Sequence, residues 1–411
     1  MKELFHNTLF DRWCFIYITL LLVDMLFKVH FDFHSSFFAM IIELCVLFFF
    51  NFKSYVPKFH NRSKIIYLLY YSMLLLYFLM FIFQIAAGEY ISPDVLYGFF
   101  NCFIFIYFAF YSKIDRLENI GLAIKLMTLL GCFSILLITR GDTSAFWRRE
   151  TLIDKGFMTI FFAISQCLCL TDIIFKNKIW LNFFFLIIFF YINMFFVQSK
   201  TSFVAFGLYL LVLLFLSKRR YRIYALLFLI VGGIVVVTKS DVFISESIAY
   251  AVNNFFNNDI FSLDATAEKR NIGSFEARSA ITYYCLIIFL NNPLWGIGIG
   301  GYKDMGGYLG ITECESSYLD MLVGGGLLYF IPVFANIIIP LIYGLYYIKC
   351  KSNTIIYQML WAVSVLTCIL VCFYWNDFLH PFAFALIGMC CYAIFCNNNL
   401  NKSQYKTLYM K

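Results

Sequence analysis

Long apolar runs, joined by connections that are basic at every second turn, constrain this chain more than any other feature. The runs lie near 13–29, 35–50, 65–86, 95–111, 120–138, 157–175, 179–197, 201–216, 223–238, 318–348, 355–375 and 381–396. Crossing about 30 Å of hydrocarbon takes about 20 helical residues, so the spacing predicts twelve membrane spans. The runs are continuous rather than alternating, which predicts helices and not a barrel, because in lipid every backbone polar group must be satisfied internally. The second and eighth runs are short. The tenth is long and contains Gly324, Gly325, Gly326, Pro332 and Pro340, so a tilt, kink or half-helix is expected there. A content of 62% hydrophobic and 13% charged residues excludes an ordinary soluble enzyme. The expected fold is an all-α integral membrane protein, a single polytopic domain over 1–411, with no internal repeat.

Basic residues hold short loops on the cytoplasmic side. Lys2 and Arg12, then Lys53, Lys58, Arg62 and Lys64, then Lys113 and Arg116, Lys176 and Lys178, Lys218 to Arg222, Lys349 and Lys351, and Lys402 to Lys411 all fall on one side of a twelve-span path. Both termini are therefore expected in the cytoplasm, and the long polar loop 239–317 outside. No cleavable leader is expected, since the first apolar run lacks a small-residue cleavage pattern behind it. The formal charge of +7 comes from loops beside anionic headgroups, which points to membrane lipid and not to nucleic acid. Nearly all fourteen cysteines sit inside apolar runs, where a thiol behaves as a small hydrophobe, and Cys314 alone is clearly in an outer loop. Neither Cys-x-x-Cys nor His-Glu-x-x-His occurs, so no metal site and no cofactor are expected.

Three outward segments keep basic residues against the orientation rule. They are 139–156 with Arg140, Arg148, Arg149 and Lys155, the Gln-Ser-Lys-Thr-Ser run 198–202 with Lys200, and the long loop with Lys239, Lys269, Arg270, Arg278 and Lys303. Guanidinium forks bind two phosphate oxygens at once, so the set is expected to line one outward anion site. The alternative is snorkelling to headgroups, or pairing with Asp142, Glu150, Asp154, Glu268 and Glu276. Within the long loop, residues 281–290 are too few to span and read as an interfacial or buried helix. The glycines of 296–301 lack the strand and helix that a dinucleotide fingerprint requires. They suit either a turn whose amides face an anion or a return into the membrane. Glu313 and Glu315, just before the tenth span, are candidates for a general base. His380, beside Asp377 at the same face, reads more simply as a lone histidine before Pro381, with a secondary site role open.

Read together, these segments resemble the bacterial O-antigen polymerases and ligases, multi-spanning glycosyltransferases that act on polyprenyl-pyrophosphate-linked sugars. Gln-Ser-Lys-Thr-Ser-Phe-Val-Ala-Phe (198–206) is similar to that family's Ser-Arg-Thr/Gly run, with Lys200 in the arginine's place. Arg278 followed by Asn-Pro-Leu-Trp-Gly-Ile-Gly (292–298) is similar to its Arg and Pro-x-x-Gly-x-Gly. Glu315-Ser-Ser-Tyr-Leu, with Gly324 to Gly326 downstream, falls where many relatives carry His-Asn and a glycine-containing helix. Glutamate in place of that histidine favours the polymerases over the ligases. The resemblance implies a GT-C-like fold in the inner membrane, with a large periplasmic loop between helices nine and ten. It implies a metal-independent glycosyltransferase of lipopolysaccharide biosynthesis that joins undecaprenyl-pyrophosphate-linked oligosaccharides, with a chain-length regulator protein as partner. The implied roles are pyrophosphate binding for Arg148, Arg149, Lys200, Arg270 and Arg278, catalysis for Arg278 and Glu315, and secondary roles for Arg140, Glu313 and His380. The alternatives are the ligase, which transfers polymer to lipid A core, and a flippase for the lipid-linked repeat.

Overall fold

The computed structural model describes residues 64–86, 98, 101–102, 104–105, 108–109, 117–139, 155–175, 178–197, 199–215, 219–238, 282–298, 316–348, 353–372 and 381–396. These residues are all-helical, with no strand among them. In chain order the helices are α1 (Lys64–Ala86), α2 (Leu117–Thr139), α3 (Lys155–Ile174), α4 (Ile179–Ile192), α5 (Lys200–Phe215), α6 (Arg219–Thr238), α7 (Thr282–Asn291), α8 (Ser317–Ile348), α9 (Asn353–Cys372) and α10 (Pro381–Cys391). Helical turns also occur within 98–109. The third to twelfth apolar runs each coincide with one of these helical segments, while the first two lie outside the described residues.

Two segments, Ile179–Val197 and Ser317–Tyr346, are long and apolar enough to cross a bilayer, and shorter apolar helices accompany them. The first joins α4 to a π-helical turn, Asn193–Val197, and a second π turn, Tyr392–Cys396, extends α10. Apolar side chains cover both the inside and the outside of the bundle. One core collects Met73, Tyr77, Phe105, Phe108, Phe161, Phe162, Phe189, Tyr209, Trp361 and Phe384, all essentially without exposure. The outward faces of α1, α4 and α6 expose Leu68, Leu75, Phe78, Phe184, Ile187, Leu227 and Ile230. A helix apolar all round belongs in a large core or in lipid.

α3 and α9 stand at the centre of the packing: α3 lies against α2, α4, α5 and α9, and α9 lies against α3, α5, α8 and α10. Close approach is achieved with small residues. A Cβ on Gly388 of α10 would come within 2.6 Å of the Phe105 carbonyl oxygen, so the 98–109 segment packs directly on this backbone. The buried thiols fill gaps in the same way, and Cys167 and Cys368 bring α3 and α9 together with their sulfurs 3.4 Å apart.

The long α8 is broken as its sequence predicts, at Gly326 and not at either proline. Gly326 has φ 62° and ψ −162°, a region essentially restricted to glycine. The break frees the amides of Leu327 and Leu328, and these donate to the carbonyls of Pro293 and Leu294 at 2.9 and 3.2 Å. In return Ile297 N donates to Val323 O at 2.9 Å. α7 and the turn that follows it thus form a hairpin that folds back along α8 and caps its break.

Candidate functional site

At the junction of α4 and α5 the chain makes a polar knot in apolar surroundings. Asn193, fully buried, donates from Nδ2 to Ser202 Oγ at 2.5 Å, and its Oδ1 accepts from Ser199 N at 3.1 Å. Ser202 Oγ donates to Ser199 O at 2.9 Å, and Ser199 Oγ accepts from Ser202 N at 3.4 Å, an N-terminal cap for α5. A π turn lets Asn193 face back across the connection, a use of such turns that recurs at functional sites. The knot fixes Lys200 as the first residue of α5. The Gln-Ser-Lys-Thr-Ser run is therefore a helix start held by side chains.

The second half of the site is the hairpin on α8. Cys285 of α7 packs on Val323, with Ile288, Phe289, Ile297 and Leu319 around them. Trp295, at the hairpin tip, stacks on Phe83 of α1 with ring centroids 6.0 Å apart and planes 9° apart. Gly296 has φ 66°, and a Cβ there would meet Gly324 O at 2.7 Å, so the turn needs glycine for both conformation and space. Gly298 has φ 99°. Gly296 N is bonded to Asn292 O and Ile297 N to Val323 O, so these two amides serve the fold and do not face an anion. Residues 292–298 thus fold back onto α8, while Gly300 and Gly301 lie outside the described residues.

Both halves lie at one end of the bundle. Tyr318, in the first turn of α8, donates to Leu370 O near the end of α9. Tyr209 in α5 bonds Thr171 near the other end of α3, and Lys200 lies nine residues up α5 from it, about 14 Å away. By helical spacing, Ser316, Asp320 and Gly324 follow one line on α8, and this line runs up to the hairpin, where Gly296 rests on Gly324. Asp320 is the sole acidic residue of α8 and is half-buried. The sequence reading passes over it, although an acidic residue one turn inside an apolar run is a legible signal.

Of the sequence-predicted site residues, Lys200 falls within the described residues, at the helix start above. Arg140, Arg148, Arg149, Arg270, Arg278, Glu313, Glu315 and His380 lie outside them. In the chain, Arg278 precedes α7 by four residues and Glu315 is bonded to Ser316, whose side chain is buried. Among the described residues no group of three or more potential metal-ligating side chains occurs.

A second polar cluster occupies the opposite end of the bundle. Lys125 of α2 forms a buried ion pair with Asp172 of α3, and its Nζ also donates to Asn182 Oδ1 of α4 at 2.7 Å. Tyr357 of α9 donates to the other carboxylate oxygen of Asp172 at 2.8 Å. Thr171 beside it bonds Tyr209 of α5 at 2.7 Å. Five helices are thereby tied together around one neutralised pair. Both charges are visible in the sequence as interruptions of the apolar runs 120–138 and 157–175. The available signal was two opposite charges, each within reach of the same end of consecutive helices that must run antiparallel. Compared with protein-family models and with curated proteins, the chain matches none.

Proposed function

We propose that the protein is a polysaccharide polymerase of the bacterial inner membrane, a GT-C-like glycosyltransferase of twelve spans with both termini in the cytoplasm. Its donor is a growing oligosaccharide on undecaprenyl pyrophosphate, its acceptor a sugar hydroxyl of another lipid-linked repeat, and its site opens on the periplasmic side. The observation that carries the reading is the α7 hairpin wedged into the break of α8. It is a re-entrant element, and its two ends lead in sequence to Arg278 and to Glu315. Non-helical backbone at membrane depth is tolerated where it is buried in protein or lines a polar cavity. The exposed apolar faces of Tyr283, Leu286, Leu290 and Leu294 on that hairpin suit lipid or a prenyl chain.

In this reading Arg148, Arg149, Arg270, Arg278 and Lys200 neutralise the charge that develops on the departing lipid pyrophosphate, the largest electrostatic demand of the reaction. A carboxylate at the same mouth, Glu315 in the sequence-based assignment, orients or deprotonates the acceptor hydroxyl. Lys200 contributes through the fixed start of α5 described above. A chain-length regulator is the expected protein partner.

The second reading, a flippase for the lipid-linked repeat, draws on the Lys125–Asp172 pair, because ionisable residues inside a helical bundle are typical of transport pathways. Surface polysaccharide from cells lacking the protein separates the two. Loss of a polymerase leaves single-repeat caps, whereas loss of a flippase leaves no cap, with repeats held on the inner face. In the polymerase reading Arg278→Ala abolishes chain extension at normal protein abundance. Arg278→Lys restores it only in part, since an ammonium lacks the bidentate fork. Full extension by the alanine variant removes Arg278 from the site.

A further inference from the structure

We propose that the 282–298 hairpin is a strap between α8 and α1 that opens as a single unit while the bundle stays folded; this concerns how the fold moves and holds whatever the protein acts on. The hairpin has an apolar cluster of its own. Cys285 and Val323 are buried there, with Ile288, Phe289, Ile297 and Leu319 packed on them, and among the described residues none of these belongs to the core cluster of the bundle. Within α8, by contrast, Met321 and Tyr329 are buried in that main core, and Tyr318 donates to Leu370 O. The Tyr318 ring also meets Phe330 and Phe334, with centroids 6.2 and 6.0 Å away. In a straight helix those positions would lie about 18 and 24 Å off, so α8 doubles back at Gly326. Its first stretch is thus fixed to the bundle by contacts that leave the hairpin out.

Three backbone bonds and one ring contact hold the tip. Ile297 N donates to Val323 O, while Leu327 N and Leu328 N donate to Pro293 O and Leu294 O. Trp295 stacks on Phe83, in the last turn of α1. Residues 290–295 are all exposed, so water or headgroups at this end of the bundle can take over the three bonds. A unit with few buried apolar contacts, bonded at an exposed tip, opens at lower free energy than the core. α1 packs chiefly on α8 among the described helices. Further along that seam the Tyr77 and Tyr329 hydroxyls share a hydrogen bond of 2.8 Å, and Asn336 Nδ2 donates to Met73 Sδ at 2.7 Å. Those two ties do not involve the hairpin and remain when it lifts. The seam therefore parts at its Phe83 end and stays closed at Tyr77. Leu79 and Ile82 on α1 and Leu328 and Ile331 on α8 are exposed near that end, so in a bilayer the molecule that meets the opened gate is a lipid chain.

Hydrogen exchange and thiol alkylation of the full-length protein in lipid nanodiscs test this, with N-ethylmaleimide as the thiol probe and each site read by mass spectrometry. The amides of Ile297, Leu327 and Leu328 and the thiol of Cys285 are expected to open together, with protection factors equal within about threefold. Their protection is expected to be at least about tenfold below that of the α3 amides and of the buried thiols Cys167 and Cys368. Gly296→Ala acts on the closed state: at φ 66° the added Cβ would lie 2.4 Å from Val323 O. It is expected to lower protection at all four sites by about 5- to 150-fold, the population shift that such backbone strain implies. Phe83→Ala removes the ring contact from the α1 side and is expected to lower it by about two- to tenfold. Continued protection of Cys167 and Cys368 shows in each case that the bundle is folded. Protection of Ile297 and Cys285 on a par with α3 overturns the proposal, as does exchange that spreads residue by residue, which is fraying. If Phe83→Ala leaves Ile297 unchanged, the hairpin does not strap α1 and the proposal falls. Should Gly296→Ala fold poorly, the wild-type pattern and Phe83→Ala still decide.

Discussion

At the scale of single residues, the Lys125–Asp172 pair is governed by desolvation. Burying one charge alone is far more costly than burying a neutralised, hydrogen-bonded pair, and removing one partner of a buried pair destabilises by about 3 to 5 kcal/mol. Here Asn182 accepts a second hydrogen bond from the ammonium, and Tyr357 donates to the other carboxylate oxygen. Lys125→Met or Asp172→Leu alone is therefore expected to lower the aggregation temperature of the solubilised protein markedly. The double variant is expected to recover most of the loss, because replacing a buried pair by apolar residues is often neutral or stabilising. If the double variant is no more stable than the singles, the pair is not the unit that matters. Gly326 is governed by backbone geometry instead. A Cβ there would lie 2.7 Å from Trp295 N, in a conformation that itself costs about 1 to 3 kcal/mol for other residues. Gly326→Ala is expected to unseat the hairpin, which a protease-accessibility change within 282–298 would reveal; unchanged accessibility would mean the break tolerates a side chain.

At the scale of elements, how much was legible depended on whether the signal was local. The boundaries of α1, α3 and α9 fall within a few residues of their apolar runs, because an unbroken apolar run is a local signal that needs no distant partner to be read. The short helix α7 was legible for the same reason, since a run of about ten apolar residues is too short to cross. The break in α8 was foreseen as a class of event, yet its location was ambiguous between three glycines and two prolines. Pro332 and Pro340 sit inside helix, whereas Gly326 breaks it, because the hairpin supplies carbonyls to the freed amides at that position alone. That information lies in residues 293 and 294, more than thirty positions upstream, and no local pattern carries it. The role of Gly296 was open for the same reason: a turn facing an anion and a turn facing a helix break have the same sequence. The Asn193 knot was illegible because a buried asparagine in an apolar run reads as noise until Ser199 and Ser202 are brought against it.

At the scale of the whole molecule, the described helices present apolar surface outward and polar clusters at two opposite ends. The proposed topology sets the end with the α4–α5 knot and the hairpin on the periplasmic side, and the Lys125–Asp172 end on the side of the basic loops. Reporter fusions test this: a fusion at Ser262 is expected to report an external position and one after Lys411 an internal one. A cytoplasmic signal at Ser262 would overturn the assignment of the site. The candidate cations outside the described residues come under the same test, since all of them are assigned to that one face. The ion pair between consecutive helices also has a consequence for the timing of synthesis. Lys125 and Asp172 are 47 residues apart, so at about 5 to 20 residues per second the ribosome takes roughly 2 to 9 s to deliver the partner. For that interval α2 carries an uncompensated ammonium and has reason to wait beside the insertion machinery. In the proposed topology the two helices are expected to enter lipid together, as one neutral unit.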